Sequence, residues 1–336
     1  MNESEAVIRI SLVIPVRNEE ESLPVLIDSI RRQTLTPDEV ILVDGGSNDR
    51  TVQVARELTG SDKRFRLIEA GPATPGLGRN VGIAAASCDW IALTDAGIHL
   101  EPDWLERLVE VVNNDPSVEV VYGAYEVSAE TFWQRCGMLA YTHFKQERPG
   151  GKMRGPFIAS SLLRRSVWMS VGGFPDLRAT EDLIFMERVQ ESRIKTGWAP
   201  RAIVWWHPPP TIGATFQRFA VYSRCNALAG RQRYWHHGLA RQYTLAALFV
   251  ALALAHSLLW LIFLLLGGAA RVGRAVWLRR EGRGILWLIN PVRFLGVALI
   301  IAVIDAATFT GWAQAVWHLY QKQNSASYAK QAEGDK

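Results

Sequence analysis

The chain has 336 residues, of which 49% are hydrophobic and 21% are charged, so it is long enough for one large domain or two with a sizeable core. Its three cysteines, Cys88, Cys136 and Cys225, are odd in number and far apart. This spacing indicates neither a zinc site nor a disulfide framework and favours a reducing compartment. The acidic start, 1–5, is followed by no apolar run typical of a signal peptide.

The net charge of +4 hides an uneven distribution along the chain. Residues 1–210 carry 23 Lys and Arg against 29 Asp and Glu, whereas residues 211–336 carry 14 against 4. The basic residues of the second part flank long apolar runs and form no stripe, which argues against a nucleic-acid partner. We therefore expect a membrane to be the partner of the second part.

The first part of the chain predicts alternating strands and helices. Apolar runs predict strands at 10–15, 40–43, 65–68 and 89–94. Helical periodicity follows the first two, at 19–31 and from about 49 to 58, and a glycine-rich segment at 75–86 enters a third helix. Units of this length predict a doubly wound α/β sheet whose ligand site lies at the carboxyl ends of the strands.

Asp44 is the first candidate for such a site. It ends a strand of four apolar residues, 40–43, and Gly45 and Gly46 follow, which permit a tight turn. A carboxylate at the carboxyl end of a parallel strand lies where open α/β sheets bind ligands. Alternatively, the segment is a surface turn whose aspartate only caps the next helix.

Six motifs occur in a fixed order between residues 10 and 190. They are 13–19 (VIPVRNE), 43–49 (VDGGSND), 78–82 (GRNVG), 93–97 (LTDAG), 172–174 (GGF) and 180–182 (TED). Together they resemble the motifs of family-2 glycosyltransferases with the GT-A fold. The resemblance implies a mixed, doubly wound sheet and a nucleotide-diphosphate sugar, with UDP or GDP, as donor.

The resemblance also assigns residues to the donor site. The positions that match it are Pro15, Arg17, Glu19, Asp44, Asp49, Arg79 and Asp95. Asp44 would accept a hydrogen bond from the imide N–H of the base. Arg79 would stack on the base or contact the diphosphate.

A divalent cation, Mg²⁺ or Mn²⁺, is the expected cofactor because two phosphates leave with developing negative charge. The family usually binds it with an Asp-x-Asp motif, but here the sequence is Asp95-Ala96-Gly97 and the second carboxylate is missing. His207 matches a histidine near the diphosphate in some GT-A enzymes, so the expected ligands are Asp95 and His207. Alternatively, His207 only ends a strand before the prolines at 208–210.

Inverting transfer needs a base that takes the proton from the acceptor hydroxyl. The resemblance assigns this role to Asp182, with Glu181 positioning it or contacting the donor. The alternative is that both carboxylates only add acidity to a helix N-terminus.

The C-terminal part predicts membrane segments. Residues 245–266 carry no formal charge, and 22 residues at 1.5 Å each give about 33 Å of helix. A second run at 294–317 is interrupted by Asp305, which should face another helix or a lipid headgroup.

Two crossings would place the arginines between the runs outside, against the positive-inside rule. Those arginines are Arg271, Arg274, Arg279, Arg280 and Arg283. Either the first run is a re-entrant hairpin, or residues 271–293 form an interfacial helix. From the sequence we favour the interfacial helix.

The expected architecture is a GT-A domain at 1–210, a juxtamembrane helical segment at 211–242, a membrane region at 243–320 and a polar tail at 321–336. We expect a multi-pass membrane protein with its catalytic domain on the cytoplasmic face. Its acceptor would be a polyprenyl phosphate or a lipid-linked glycan of a cell-envelope polysaccharide. The alternatives are an exopolysaccharide synthase of the same family and an inactive sugar-nucleotide-binding subunit.

Overall fold

The computed structural model describes residues 8–334, with side chains as far as residue 325. These residues form two compact units. The first comprises the chain up to Ser128 together with His143–His207, and the second comprises Ala129–Thr142 and the chain from Pro208 onward. The acidic start at 1–5 and the last two residues of the predicted polar tail lie outside the described residues.

The strands all belong to the first unit. In chain order they are β1 Ile10–Val16, β2 Glu39–Asp44, β3 Phe65–Glu69, β4 Trp90–Leu93, β5 Ile98–Leu100, β6 Val120–Val127, β7 Lys145–Arg148, β8 Gly151–Arg154, β9 Ser161–Arg164 and β10 Thr196–Trp206.

The helices are divided between the two units. Those of the first unit are α1 Leu23–Arg31, α2 Thr51–Thr59, α3 Pro75–Ala85, α4 Trp104–Asn114, α6 Arg165–Ser170 and α7 Glu181–Glu191. Those of the second unit are α5 Phe132–Tyr141, α8 Ile212–Leu228, α9 His236–Ala255, α10 Leu261–Leu278, α11 Ile285–Leu288 and α12 Pro291–Gly334.

Eight strands form one mixed sheet in the order β3-β2-β1-β4-β9-β6-β10-β5. Strands β3, β2, β1 and β4 are parallel, so their carboxyl ends meet at one edge of the sheet. Strand β9 runs antiparallel between β4 and β6, and β5 runs antiparallel to β10. Every residue of β2 is buried, as its unbroken apolar run predicts for a strand covered on both faces.

Helix α3 lies unusually close to the sheet because its inner positions are glycines. A Cβ on Gly82 would lie 2.4 Å from Cγ1 of Val13, and one on Gly78 would lie 3.1 Å from Cβ of Pro15. Glycine therefore permits a separation that alanine would increase. This close approach brings the first turns of α3 to the ends of β1 and β2.

The second unit is helical and strongly apolar. Three of its described segments are long and apolar enough to cross a membrane, namely His236–Ala255, Leu258–Leu278 and Pro291–Ser325. The run expected as one span, 245–266, is instead divided between α9 and α10. The chain leaves helical geometry at His256, and the Ser257 hydroxyl accepts a hydrogen bond from Leu259 N–H at 3.3 Å, which starts a short 3₁₀ turn.

Candidate active site

Asp44 lies at the carboxyl end of β2 and is 4% exposed. Its carboxylate accepts hydrogen bonds from the Gly46 N–H at 3.0 Å and from the Ser47 hydroxyl at 2.5 Å. Gly46 has a φ of 80°, a conformation that favours glycine. The tight turn predicted from the two glycines therefore forms, and its hydrogen bonds fix the orientation of the carboxylate.

The loop after β1 is tied to this turn. Asn18 N–H donates to the Ser47 hydroxyl at 2.9 Å, and Asn48 N–H donates to the Asn18 side-chain oxygen at 2.8 Å. Glu19 N–H donates to the Thr51 hydroxyl at 2.7 Å. The two loops thus form one rim at the ends of β1 and β2, and this rim carries the predicted positions Arg17 and Glu19.

Asp49 also belongs to this rim, where it holds the start of α2. Its carboxylate accepts hydrogen bonds from Thr51 N–H at 3.0 Å and the Thr51 hydroxyl at 2.5 Å, and from Glu20 N–H at 3.3 Å. Partial burial raises the pKa of Asp49, but the hydrogen bonds from Thr51 and Glu20 outweigh it, so the pKa is lowered. The contacts of Asp49 in this structure are therefore structural, and its expected contact with a nucleotide stays a prediction.

Arg79 joins two other predicted site residues, Asp95 and Glu181. It is 2% exposed, and its guanidinium donates to Glu181 Oε1 at 2.7 Å and to Asp95 Oδ1 at 2.6 Å. Its Cζ lies 5.5 Å from the centre of the Phe174 ring. Asp95 follows β4 by two residues and Glu181 opens α7, so the cluster connects the sheet edge to two helices.

The start of α7 is held against α3 by contacts distant in sequence. The side-chain oxygen of Asn80 accepts from Phe174 N–H at 2.9 Å and from the Trp168 indole at 2.8 Å, while its amide donates to the Phe174 carbonyl at 2.7 Å. The Phe174 ring stacks on Phe185 of α7 with centroids 4.1 Å apart. A Cβ on Gly76 would lie 2.2 Å from the Pro175 carbonyl oxygen, which shows how close this loop lies to α3.

Two carboxylates, Asp95 and Glu181, pair with one buried guanidinium, and the charge of this guanidinium also acts on Asp182. Burial raises the pKa of Glu181, Arg79 lowers it and Asp182 raises it, with a net increase. Burial likewise raises the pKa of Asp182, Arg79 lowers it, and the net direction is again upward. A carboxylate with a raised pKa is a better proton acceptor than an ordinary aspartate, as a catalytic base requires.

Four buried polar atoms at this cluster have no hydrogen-bond partner among the described residues. They are Arg79 Nε, Glu181 Oε2, the Thr180 hydroxyl and the Thr94 hydroxyl. Thr180 also has a φ of 79°, a strained conformation for a β-branched residue. Buried polar groups are normally paired, so the unpaired atoms together with the strain make this cluster the candidate ligand-binding site. The sequence motifs contain Thr94 and Thr180, but neither threonine was predicted as a candidate site residue.

The expected cation ligands fit a metal site only in part. Among the described residues no group of three or more His, Cys, Asp or Glu side chains is arranged for a metal. Asp95 is 41% exposed but already accepts from Arg79. The antiparallel pairing of β10 with β5 ends at Trp206 and Ile98, and His207 and Gly97 are the next residues beyond this last pair. A cation here would therefore depend on Asp95, His207 and oxygen atoms of a bound diphosphate.

The fold is that of the GT-A nucleotide-diphospho-sugar transferases, as expected from the motifs. The structure is similar to that of the mannosyltransferase PcManGT from Pyrobaculum calidifontis, solved in complex with GDP-Man and Mn²⁺. The TM-score is 0.61 at 18% sequence identity, and the match covers 92% of this chain and 87% of that one.

A family model matches part of the sequence. Residues 11–171 match Glycosyl transferase family 2, so the chain contains a family 2 glycosyltransferase domain. It is 26% identical over 282 residues to the succinoglycan biosynthesis protein ExoA of Rhizobium meliloti, covering 80% of this chain and 84% of that protein. It is 30% identical over 165 residues to EpsH of Bacillus subtilis, a protein named as a glycosyltransferase, covering 47% of this chain. That match spans about half, 47%, of the length of EpsH.

Proposed function

We propose that this chain is an inverting glycosyltransferase that moves a sugar from a nucleotide-diphosphate donor to a membrane-associated acceptor. The observation that carries the proposal is the cluster of Asp95, Glu181 and Asp182 around the buried Arg79, at the edge where the parallel strands end. Ligands of open α/β sheets bind at this edge.

The donor would lie on the rim formed by the loops after β1 and β2. Pro15, Arg17, Glu19, Asp44 and Asp49 are the candidate nucleotide contacts. Asp44 is oriented by its turn, and a carboxylate oxygen has lone pairs beyond those used by Gly46 and Ser47. One of these would accept a hydrogen bond from the ring N–H of the base, at N3 of uracil or N1 of guanine. The proposal of a UDP- or GDP-sugar accords with the GDP-Man bound to PcManGT.

Arg79 and the divalent cation would stabilise the diphosphate. A bound Mg²⁺ or Mn²⁺ neutralises charge that develops on the leaving phosphates. Asp95 and His207 would hold the cation. The Arg79 Nε has no hydrogen-bond partner among the described residues. It would donate to a phosphate oxygen of the donor or, if the side chains rearrange, to Glu181 Oε2.

Asp182 would act as the general base. The acceptor oxygen attacks the anomeric carbon, the bond from that carbon to the diphosphate oxygen breaks, and the nucleoside diphosphate leaves with the electron pair. The acceptor proton passes to Asp182, which is half-buried and has a raised pKa. A phosphate acceptor would need less help, because a phosphate monoester is largely deprotonated near neutral pH.

The acceptor would be a polyprenyl phosphate or a lipid-linked glycan at the cytoplasmic face of a membrane. The apolar helices of the second unit support membrane association. The similarity to ExoA favours a role in the assembly of a cell-envelope polysaccharide, including synthesis of an exopolysaccharide by the same chemistry.

The test is to incubate membranes containing the full chain with a panel of radiolabelled UDP- and GDP-sugars and to extract the lipid fraction. The proposal expects label from one donor to enter the lipid or glycan fraction. With the Asp182→Asn variant expressed at the same level, transfer to a hydroxyl acceptor should fall by at least about 100-fold. Tight nucleotide binding without transfer or donor hydrolysis would instead indicate an inactive binding subunit.

A further inference from the structure

Helices α9 and α10 form a hairpin whose outer surface is apolar and exposed. The exposed fraction reaches 82% at Leu254 and 71% at Leu258, next to the tip, and 73% at Leu265 on the returning arm. The two arms contact each other through stacked rings of Phe249 and Phe263, whose centroids lie 5.3 Å apart. An exposed apolar surface of this extent requires a partner.

The charges on the hairpin indicate that this partner is lipid. Between Arg241 on α9 and Arg271 on α10 no residue carries a formal charge. The tip itself contains only His256 and Ser257 as polar residues. A protein partner would leave polar residues around the rim of the contact, whereas lipid chains contact an apolar surface on all sides.

The length of the hairpin matches one leaflet. Fourteen residue steps separate Arg241 from Ala255, which gives about 21 Å of helix. The return from Leu258 to Arg271, through the 3₁₀ turn and ten helical steps, also gives about 21 Å. The hydrocarbon core of a bilayer is about 30 Å thick, so each leaflet contributes about half of this. The uncharged part of each arm therefore reaches the bilayer centre, and a full crossing by these helices would bring Arg241 and Arg271 into the hydrocarbon.

The base of the hairpin is polar and charged. Asp305 of α12 is 3% exposed, and it accepts two hydrogen bonds from Arg271, at 2.5 and 2.7 Å, and one from the Tyr243 hydroxyl at 2.9 Å. Asp305 thus faces two other helices. This is one of the two surroundings predicted from the sequence, the other being a lipid headgroup. If the hairpin crossed the bilayer, this network of Asp305, Arg271 and Tyr243 would lie inside the hydrocarbon core. With the tip at the bilayer centre, the network lies instead near the headgroups, where the 39% exposed Arg271 can contact phosphates.

Helix α12 packs closely against α8. The Ser223 hydroxyl of α8 donates to the Thr308 carbonyl at 2.6 Å, and a Cβ on Gly311 would lie 2.2 Å from the Ala220 carbonyl oxygen. Helix α8 also carries Arg218 and Arg224. A helix packed this closely on an arginine-bearing neighbour is poorly suited to cross the hydrocarbon core.

We propose that the second unit is a monotopic membrane anchor, in which the α9–α10 hairpin enters one leaflet and returns to the side from which it came. This arrangement is the re-entrant hairpin that the sequence left open as one alternative. It places the arginines that follow the first apolar run on the cytoplasmic side, as the positive-inside rule requires. The arginines after α10 return to the cytoplasmic side, where they meet anionic headgroups. Arg283 and Arg293 lie 4.7 and 3.9 Å from the ring centre of Trp287, an arrangement suited to the interface.

Single-cysteine labelling tests the proposal on the full chain in native membranes. Ser257→Cys reports the tip, Gly284→Cys reports the loop after α10, and Ser325→Cys reports the far part of α12. Gly284 is suitable because a Cβ there meets nothing within 4 Å. Cys88 and Cys136 are buried, and the unmodified chain gives the background from these residues and Cys225. The reagent is a membrane-impermeant maleimide, applied to right-side-out and to inverted vesicles.

The proposal predicts that Ser257→Cys reacts from neither side and reacts only after detergent solubilisation, because a thiol in hydrocarbon is neither ionised nor accessible. Gly284→Cys and Ser325→Cys should both react from the cytoplasmic side. Reaction of Ser257→Cys from the outer side would mean that the hairpin crosses, and reaction from the cytoplasmic side would mean that it lies outside the membrane. Reaction of Ser325→Cys from the outer side would mean that α12 crosses. Each of these three results overturns the proposal, and none depends on transferase activity.

Discussion

Replacing Arg79 with glutamine should strongly destabilise the first unit. Arg79 is the cation that Asp95 and Glu181 share, and the side chains of Arg79 and Glu181 are only 3% and 7% exposed. Removing one partner of a buried ion pair leaves the other charged and unpaired, at a cost of about 3–5 kcal/mol in the free energy of unfolding. Arg56→Gln is the matched control. Arg56 pairs with Glu69, but these side chains are 64% and 53% exposed, so its loss should cost about 0–1 kcal/mol.

The pH dependence of this loss has a definite sign. Without Arg79, the pKa of Glu181, already raised by burial, should rise further in the folded state. The folded variant then binds more protons near neutral pH than the unfolded chain, so its stability falls as pH rises and recovers as pH falls. The double variant Arg79→Gln/Glu181→Gln should regain most of the loss, because no buried charge of this pair remains unpaired.

The assay is urea unfolding of the detergent-solubilised full chain, followed by tryptophan fluorescence at pH 5.5 and 8. We expect Arg79→Gln to differ from Arg56→Gln by several kcal/mol at pH 8 and by less at pH 5.5. Equal effects of the two single substitutions, or an Arg79→Gln defect that grows toward acid pH, would show that Arg79 does not neutralise a buried carboxylate.

Three further predictions concern the donor and the cation. Asp44→Asn should raise the dissociation constant of the nucleotide, measured by calorimetry, because an amide can replace only part of the carboxylate's acceptor capacity. Unchanged affinity would show that Asp44 does not bind the nucleobase. Exhaustive chelation of divalent cations should abolish transfer, and adding Mg²⁺ or Mn²⁺ should restore it. Full activity of the chelated enzyme would mean that Arg79, and not a cation, stabilises the charge on the leaving diphosphate. Gly97→Asp should lower the Mn²⁺ concentration for half-maximal activity, since a Cβ at Gly97 meets nothing nearer than Glu19 Oε2 at 3.9 Å. The isosteric Gly97→Asn is its control, and an equal effect of both would contradict a carboxylate–metal contact.

The central parallel strands could be predicted from sequence because their signals are local. The apolar run at 40–43 and the two glycines after Asp44 specify a buried strand and a tight turn without reference to distant residues. The contacts of Arg79 could not be derived in this way. Arg79 and Glu181 are 102 residues apart in sequence, and only the packing of the glycine-rich α3 against the loop before α7 brings them together.

The second unit was harder to predict for a physical reason. The charge-free run at 245–266 is compatible with one helix or with a hairpin, because periodicity does not distinguish them when every position is apolar. Residues 129–142 gave no sign of belonging to this unit. In α5, Cys136 and Leu139 are buried in an apolar cluster with Val272, Val276 and Val297, which lie more than 130 residues further along the chain.

The measurement that tests the proposed chemistry most directly is the rate of donor cleavage and transfer by the Asp182→Asn variant. Asparagine keeps the size of the side chain but cannot take the acceptor proton, and loss of a general base typically costs about 10²–10⁴-fold in rate. Glu191→Gln, at the exposed end of the same helix, is the control for loss of a carboxylate.

We expect Asp182→Asn to lose at least about 100-fold in transfer to a hydroxyl acceptor and in slow hydrolysis of the donor by water. The dissociation constant of the donor should stay within a few-fold of its original value, and Glu191→Gln should behave as the unmodified enzyme. The unmodified enzyme should also lose activity at acid pH as Asp182 takes up a proton, and this loss should begin at a higher pH than for an ordinary aspartate because its pKa is raised. Near-normal transfer to a hydroxyl acceptor by Asp182→Asn would show that Asp182 is not the general base.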